Sequence, residues 1–254
     1  MVHLDHRDSV AMMRLEHGKV NALDLELLQE LRRHLDELRE ASDVRAVVLT
    51  GSGRSFSAGV DLFRILEGGP SYIEEFMKAF RNVLLRIAEF PKPVVAAVNG
   101  HAIAGGCVLA CACDYRVMAQ GEGEGEGKMG IPELLVGVPF PALAWELLGS
   151  AVPEPEVRRL ALTGKLLSPE EALRTGLVDE LVKPELLGER ARARAEQLGR
   201  IPPETYRLTK RRLRRSLREH EGDALDKEVL AAWSSPETHE AIRAYLEKTL
   251  GKRS

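Results

Sequence analysis

Two short, fully apolar runs constrain the fold of this chain most strongly. Ala46-Val47-Val48-Leu49 leads into Thr50-Gly51, and Pro93-Val94-Val95-Ala96-Ala97-Val98 ends at Asn99-Gly100. Runs this short and this apolar read as strands covered on both faces. An amphipathic helix precedes each of them. Leu25, Leu28, Leu31, Leu35 and Leu38 recur at helical spacing, with Asp24 placed to cap the start. Ile73, Phe76, Met77, Phe80, Val83, Leu84 and Ile87 mark a second helix, stopped by Pro91-Lys92-Pro93. Ser9 to Leu15 reads as another strand, about Gly106 to Cys113 as a helix, and Tyr115 to Met118 as the strand after it. Helices interleaved with buried strands predict an α/β layer architecture.

After Pro141 the pattern turns helical. Ser168-Pro169-Glu170-Glu171 is a capping box with proline at the first helical position, and Gly176 ends that helix before a short strand from Leu177 to Val182. From Leu187 only helices are legible, the last running from about Pro236 to Leu250. This places a boundary near residue 190, with a core over 1–190 and a helical region over 191–254. That tail is too short to bury its apolar faces alone, so it is expected to pack on the core or on another subunit.

Composition narrows the function classes. At 254 residues and 44% hydrophobic, the chain supports a substantial core. A net charge of -3 gives no global attraction to nucleic acid or membrane. Cys107, Cys111 and Cys113 are an odd, clustered set, a poor disulfide framework that suits a reducing compartment. No run is long enough to span a bilayer, and Met1 to Asp8 lacks the apolar stretch of a secretory signal. A cytoplasmic protein is expected.

Three segments are able to carry chemistry. Ser57-Ala58-Gly59 follows the strand ending in Thr50, and its small residues would let a ligand approach the main chain, leaving the Ala58 N–H free; an ordinary strand-to-helix loop is the alternative. Ala104-Gly105-Gly106 joins a strand to a helix start, where unpaired N–H groups and the helix dipole favour an anion; close packing is the alternative use of those glycines. Two such segments together suit an oxyanion hole, which needs two converging donors. Glu133, after Pro132 and before the apolar Leu134 to Val138, is placed to be desolvated and to act as a general base, or else to sit as a plain helix-start glutamate.

Other signals carry less. Gly121 to Gly127 alternates glycine with three glutamates that would repel phosphate, so it reads as a mobile surface loop. The cysteines read as core thiols and no metal site is expected. His101 is expected to hydrogen-bond structurally. The basic run from Arg207 to Arg218 reads as a solvated helix face; nucleic-acid binding through it is not expected, since no aromatics interleave.

Taken in order, these segments resemble the crotonase, or enoyl-CoA hydratase/isomerase, superfamily. The resemblance rests on Lys19-Val20-Asn21-Ala22-Leu23, Phe56 to Leu62, Asn99-Gly100 through Cys107, Asp114-Tyr115-Arg116, Pro132-Glu133, Gly164 to Ala172 and Gly176 to Asp179. Ala104-Gly105-Gly106-Cys107 followed by a nonpolar residue, Leu208-Thr209-Lys210 and the terminal pattern from Asp223 to Leu250 are most similar to the mitochondrial-type Δ3,Δ2-enoyl-CoA isomerases. The resemblance implies a crotonase-like spiral of ββα units, a helical C-terminal trimerisation region, assembly as a homotrimer or hexamer, and an acyl-CoA thioester substrate. It implies no cofactor beyond the coenzyme A of that substrate. It places oxyanion-hole N–H groups on Ala58 and Gly105 and a catalytic carboxylate on Glu133. The substrate-binding set it implies is Ala22, Ala58, Gly59, Val60, Asp61, Leu62, Gly105, Gly106, Val108 and Pro132.

Val108 stands where the family's hydratases carry the first of two glutamates, and Glu133 matches the second. One carboxylate implies isomerisation of a 3-enoyl-CoA to a 2-trans-enoyl-CoA. Weak hydration, thioester hydrolysis, decarboxylation or non-catalytic acyl-CoA binding are the alternatives. The stretch between Ala119 and Glu133 departs from the isomerases by being a few residues longer.

Overall fold

The computed structural model describes residues 1–121, 123, 126–218 and 224–250. The chain opens with β1 (Val2–Arg7) and β2 (Val10–Leu15), followed by α1 (Leu25–Glu40), β3 (Ala46–Gly51), β4 (Ser55–Ser57) and α2 (Leu62–Ala88). Next come β5 (Val94–Val98), β6 (His101–Ile103), α3 (Gly105–Ala112), β7 (Tyr115–Ala119), β8 (Met129–Gly130) and α4 (Glu133–Val136). Helices α5 (Ala142–Ala151) and α6 (Glu154–Thr163) precede β9 (Leu166–Leu167), α7 (Pro169–Thr175) and β10 (Glu180–Val182). The chain ends in α8 (Leu187–Gly199), α9 (Pro203–Leu213), α10 (Ala224–Trp233) and α11 (Pro236–Leu250).

Strand–strand–helix units repeat as β3-β4-α2, β5-β6-α3 and β7-β8-α4. The first strand of each unit enters a six-stranded sheet ordered β1-β2-β3-β5-β7-β10, and the second enters a four-stranded sheet ordered β4-β6-β8-β9. Pairing is parallel throughout except for β1 with β2 and β8 with β9. A reduced first turn precedes them, in which a single parallel bridge from Leu23 to Val60 replaces the second strand. This is the α/β spiral expected from the sequence.

Local signals act where they were read. Asp24 accepts from the Leu27 N–H at 2.8 Å and starts α1, whose Leu27, Leu28, Leu31, Leu35 and Leu38 are buried. The Ser168 hydroxyl accepts from the Glu171 N–H while the Glu171 carboxylate accepts from the Ser168 N–H, closing the capping box. The helix expected from Ile73 is only the second half of α2. Its first half is capped by Asp61, and the two halves meet at a kink where Gly69 has φ 67° and Pro70 follows.

The expected boundary near residue 190 falls inside α8. Leu187, Ala191 and Ala195 of that helix lie on Val48, Val95 and Val117, covering the outer face of the large sheet. Thus α8 supplies the second covered face that the apolar β3 and β5 demanded. Downstream, α10 and α11 return to the core: the Trp233 indole N–H donates to Pro139 O at 2.9 Å. The basic run is not a uniformly solvated face. Lys210 is buried and its ammonium donates to Asp114 at 2.7 Å and to Ile87 O at 3.1 Å. Among the described residues, no helix is long and apolar enough to cross a membrane.

Candidate active site

Two backbone segments meet where the parallel strands β4 and β6 run out. The loop Ser57-Ala58-Gly59-Val60 leaves β4, and Ala104 turns β6 into α3. Gly59 has φ 87°, and a Cβ there would lie 2.7 Å from the Ala104 Cβ and 2.9 Å from the Gly105 nitrogen. Ala104 itself adopts φ 56°, a left-handed conformation uncommon for a residue with a side chain, held by its N–H donating to Gly130 O at 2.8 Å. That bend places Gly105 as the first residue of α3, where its N–H has no acceptor within the helix.

The second donor differs from the one expected. The Ala58 N–H is not free: it donates to Val20 O at 2.9 Å. The bridge to Leu23 decides what lies beyond it. Leu23 N–H donates to Gly59 O at 2.8 Å and Asp61 N–H to Leu23 O at 2.9 Å, so the ladder consumes groups of the residues flanking Val60. The Val60 N–H faces the other way and has no acceptor among the described residues. The pair of donors at the cavity is therefore Val60 and Gly105. Sequence reasoning missed Val60 as a donor because strand pairing with Leu23, rather than local composition, selects it.

Both segments open onto a cavity lined chiefly by apolar side chains. Of the residues expected at the site, Ala58, Val60, Leu62, Gly105, Val108, Pro132 and Glu133 line it. Gly59 and Gly106 are buried behind the wall as spacers, Asp61 caps α2, and Ala22 is half-buried in the turn before Leu23; none of these four lines the cavity. Trp233 of α10 and Tyr245 of α11 also line it, beside Phe80 of α2 and Phe140. The C-terminal helices thus close the site of their own chain, a role the sequence did not reveal because aromatics on an amphipathic helix read as core.

Glu133 is the only carboxylate among the described lining residues. It begins α4, which Gly137 ends at φ 87°. Its side chain is 7% exposed, and Oε2 has no hydrogen-bond partner. Burial pushes its pKa up from 4.5 to about 8, opposed only by its own backbone N–H. Val108, on the first turn of α3 and 1% exposed, presents a hydrocarbon face to the same cavity.

Such a cavity can take an apolar chain, can offer two unpaired N–H groups to an oxygen, and holds one carboxylate able to take a proton near neutral pH. A model of the family described as enoyl-CoA hydratase/isomerase matches residues 5–252. The chain belongs to this family. Enoyl-CoA delta isomerase 1, mitochondrial, of Mus musculus is 31% identical over 100% of this chain and 88% of its own length. The short-chain-enoyl-CoA hydratase of Clostridium acetobutylicum is 31% identical over 97% of this chain and 95% of its own. The crystal structure of human mitochondrial delta3-delta2-enoyl-CoA isomerase superposes with a TM-score of 0.93 at 28% identity, covering 100% of this chain and 99% of that one. The spiral is the crotonase fold, and the protein is an enzyme of the hydratase/isomerase family.

The remaining expected features sit outside this chemistry. His101 Nδ1 accepts from the Lys128 N–H at 3.1 Å, a structural bond. Cys107, Cys111 and Cys113 are free thiols with no exposure. Among the described residues, no three His, Cys, Asp or Glu side chains group to hold a metal. Of the glycine-glutamate repeat, Glu122, Glu124 and Gly125 lie outside the described residues.

Proposed function

We propose that this enzyme is a Δ3,Δ2-enoyl-CoA isomerase, converting a 3-enoyl-CoA to the 2-trans-enoyl-CoA. The observation that carries the reading is the single buried carboxylate of Glu133 sharing its cavity with the hydrocarbon side chain of Val108. The thioester carbonyl oxygen accepts from the Val60 and Gly105 N–H groups. Ionised Glu133 removes a proton from C2, and the electron pair moves into the carbonyl to give an enolate. Each N–H then stabilises developing negative charge, contributing about 3 kcal/mol in sites of this kind. Glu133 returns the same proton to C4, and the double bond comes to rest between C2 and C3. No atom is gained or lost, and no cofactor is needed beyond the coenzyme A carried by the substrate.

Hydration asks for more. A water must be held and activated while a proton is delivered to carbon, and Val108 can neither donate nor accept a hydrogen bond. Incubating a 3-enoyl-CoA and a 2-trans-enoyl-CoA separately with the enzyme and identifying the products tests the reading. The conjugated 2-trans-enoyl-CoA is expected from the first and no 3-hydroxyacyl-CoA from the second. Rapid formation of 3-hydroxyacyl-CoA would assign a hydratase instead.

A further inference from the structure

Ser57, the last residue of β4, is fully buried, and its hydroxyl takes no part in the chemistry above. That hydroxyl donates to Asn21 O at 2.7 Å and accepts from the Gly59 N–H at 3.2 Å. Among the described residues, the Gly59 N–H meets no other acceptor. Asn21 adopts a left-handed backbone, φ 51°, which asparagine tolerates better than most residues. Its side-chain amide donates to Ser55 O at 2.9 Å and to Ser52 O and Phe56 O at 3.3 Å. One buried asparagine therefore grips β4 with its amide and anchors the serine that ends the strand with its carbonyl.

We propose that Ser57 is a positioning residue for the Val60 donor, acting through Gly59. The inference rests on the reading of Val60 and Gly105 as donors to a thioester oxygen, and names what aims one of them. A peptide group is planar, so Gly59 O and the Val60 N–H point in opposite directions from one rigid plate. The Leu23 N–H holds that plate by donating to Gly59 O at 2.8 Å. The preceding plate carries the Gly59 N–H, and the Ser57 hydroxyl holds that one. Between the two plates lies Gly59 at φ 87°, a residue whose torsions no side chain restrains. Fixing both plates leaves the Val60 N–H a single direction. Without the hydroxyl, Asn21 O and the Gly59 N–H are left buried and unpaired, which drives Gly59 to turn in search of a partner. The Val60 N–H then tilts away from the oxygen, and a hydrogen bond weakens steeply off its line. The hydroxyl is suited to the task because donating to Asn21 O polarises it as an acceptor for Gly59.

The test separates ground-state binding from enolate stabilisation on the full chain. Hexanoyl-CoA, a saturated ester with no double bond to move, reports the first by titration calorimetry. A 3-ketoacyl-CoA reports the second: passing its C2 proton to Glu133 leaves a conjugated enolate that absorbs in the near ultraviolet, with its thioester oxygen at the two N–H groups. Ser57→Ala should shrink the bound enolate band and lower kcat on a 3-enoyl-CoA about 10-fold, a fraction of the roughly 10²–10³ that deleting a donor costs. KM and the hexanoyl-CoA affinity should stay unchanged, as expected when only transition-state stabilisation is lost. Ser57→Cys keeps the size of the side chain but replaces the hydroxyl with a weakly hydrogen-bonding thiol, so it should behave as Ser57→Ala does. It also keeps the test in force should the alanine variant fail to fold. Wild-type enolate and kcat in Ser57→Cys, the mark of a packing role, overturn the proposal. So does a loss of hexanoyl-CoA affinity that matches the loss of kcat. Absence of both the enolate band and isomerised product with the wild-type enzyme overturns the reading of the donors and the base, a separate outcome.

Discussion

The carbonyl oxygen of Ser57 stands where a side chain on Gly106 would begin: a Cβ there would lie 2.2 Å from it. This contact presses the end of β4 against the first turn of α3 and so fixes the separation of the two donor segments. Neither backbone can move without disturbing the pair formed by Val60 and Gly105.

Gly106→Ala should therefore cost about 1–3 kcal/mol of stability through overpacking and lower turnover as the donors separate. Gly149→Ala is the control. It lies exposed on α5 with nothing within 4 Å of the new Cβ, so it should gain about 0.5–1 kcal/mol. Urea unfolding of both variants, with steady-state rates, checks the contrast.

Replacing Glu133 with Gln keeps the shape of the side chain and removes the base. Turnover of a 3-enoyl-CoA should fall by about 10²–10⁴. Near wild-type turnover in this variant would sink the role of Glu133 as the proton carrier.

Glu133 must be ionised to accept the C2 proton, and burial holds its pKa at about 8. The rate at low substrate should thus rise with pH and level off above about 8. A profile already flat from pH 5 upward would show that the carboxylate is solvated when the enzyme works.

The same burial sets a stability window. The folded-state pKa near 8 lies above the ordinary value of 4.5, so unfolding releases a proton between those two values. Wild-type stability from this group is complete below pH 4.5 and is lost as pH rises to about 8. Glu133→Gln does not titrate, so it should gain relative to wild type across this window, by on the order of 4 kcal/mol at its upper end. Chemical unfolding at pH 5 and pH 9 measures the change in that gap.

Lys210 and Asp114 form a buried pair at 2.7 Å, and Asp114 also accepts from the Val94 N–H at 2.8 Å. Lys210→Met leaves the carboxylate without its cation and should cost about 3–5 kcal/mol. Adding Asp114→Asn should recover part of that loss, as read by unfolding of the single and double variants.

What was legible in the sequence follows from the range of the interactions involved. The leucine spacing of α1, its Asp24 cap and the capping box at Ser168 act within a few residues, so pattern alone finds them. The charged strand β1 escaped because an edge strand carries His3, Asp5 and Arg7 without an apolar run to announce it. Trp233 and Tyr245 escaped because nothing local distinguishes an aromatic that faces a cavity from one that faces core.

The sequence by itself determined the α/β layering and the glycine turns at Gly59 and Gly105, while the spiral of ββα units and the pairing of Glu133 with Val108 were implied by the family resemblance. The first two follow from periodicity and backbone freedom. Tertiary structure alone decided that Val60 rather than Ala58 turns its N–H toward the cavity, because pairing with Leu23 sets which groups the ladder consumes. It also decided that Glu133 carries a pKa near 8, because desolvation depends on walls drawn from α2, α3, α10 and α11 together.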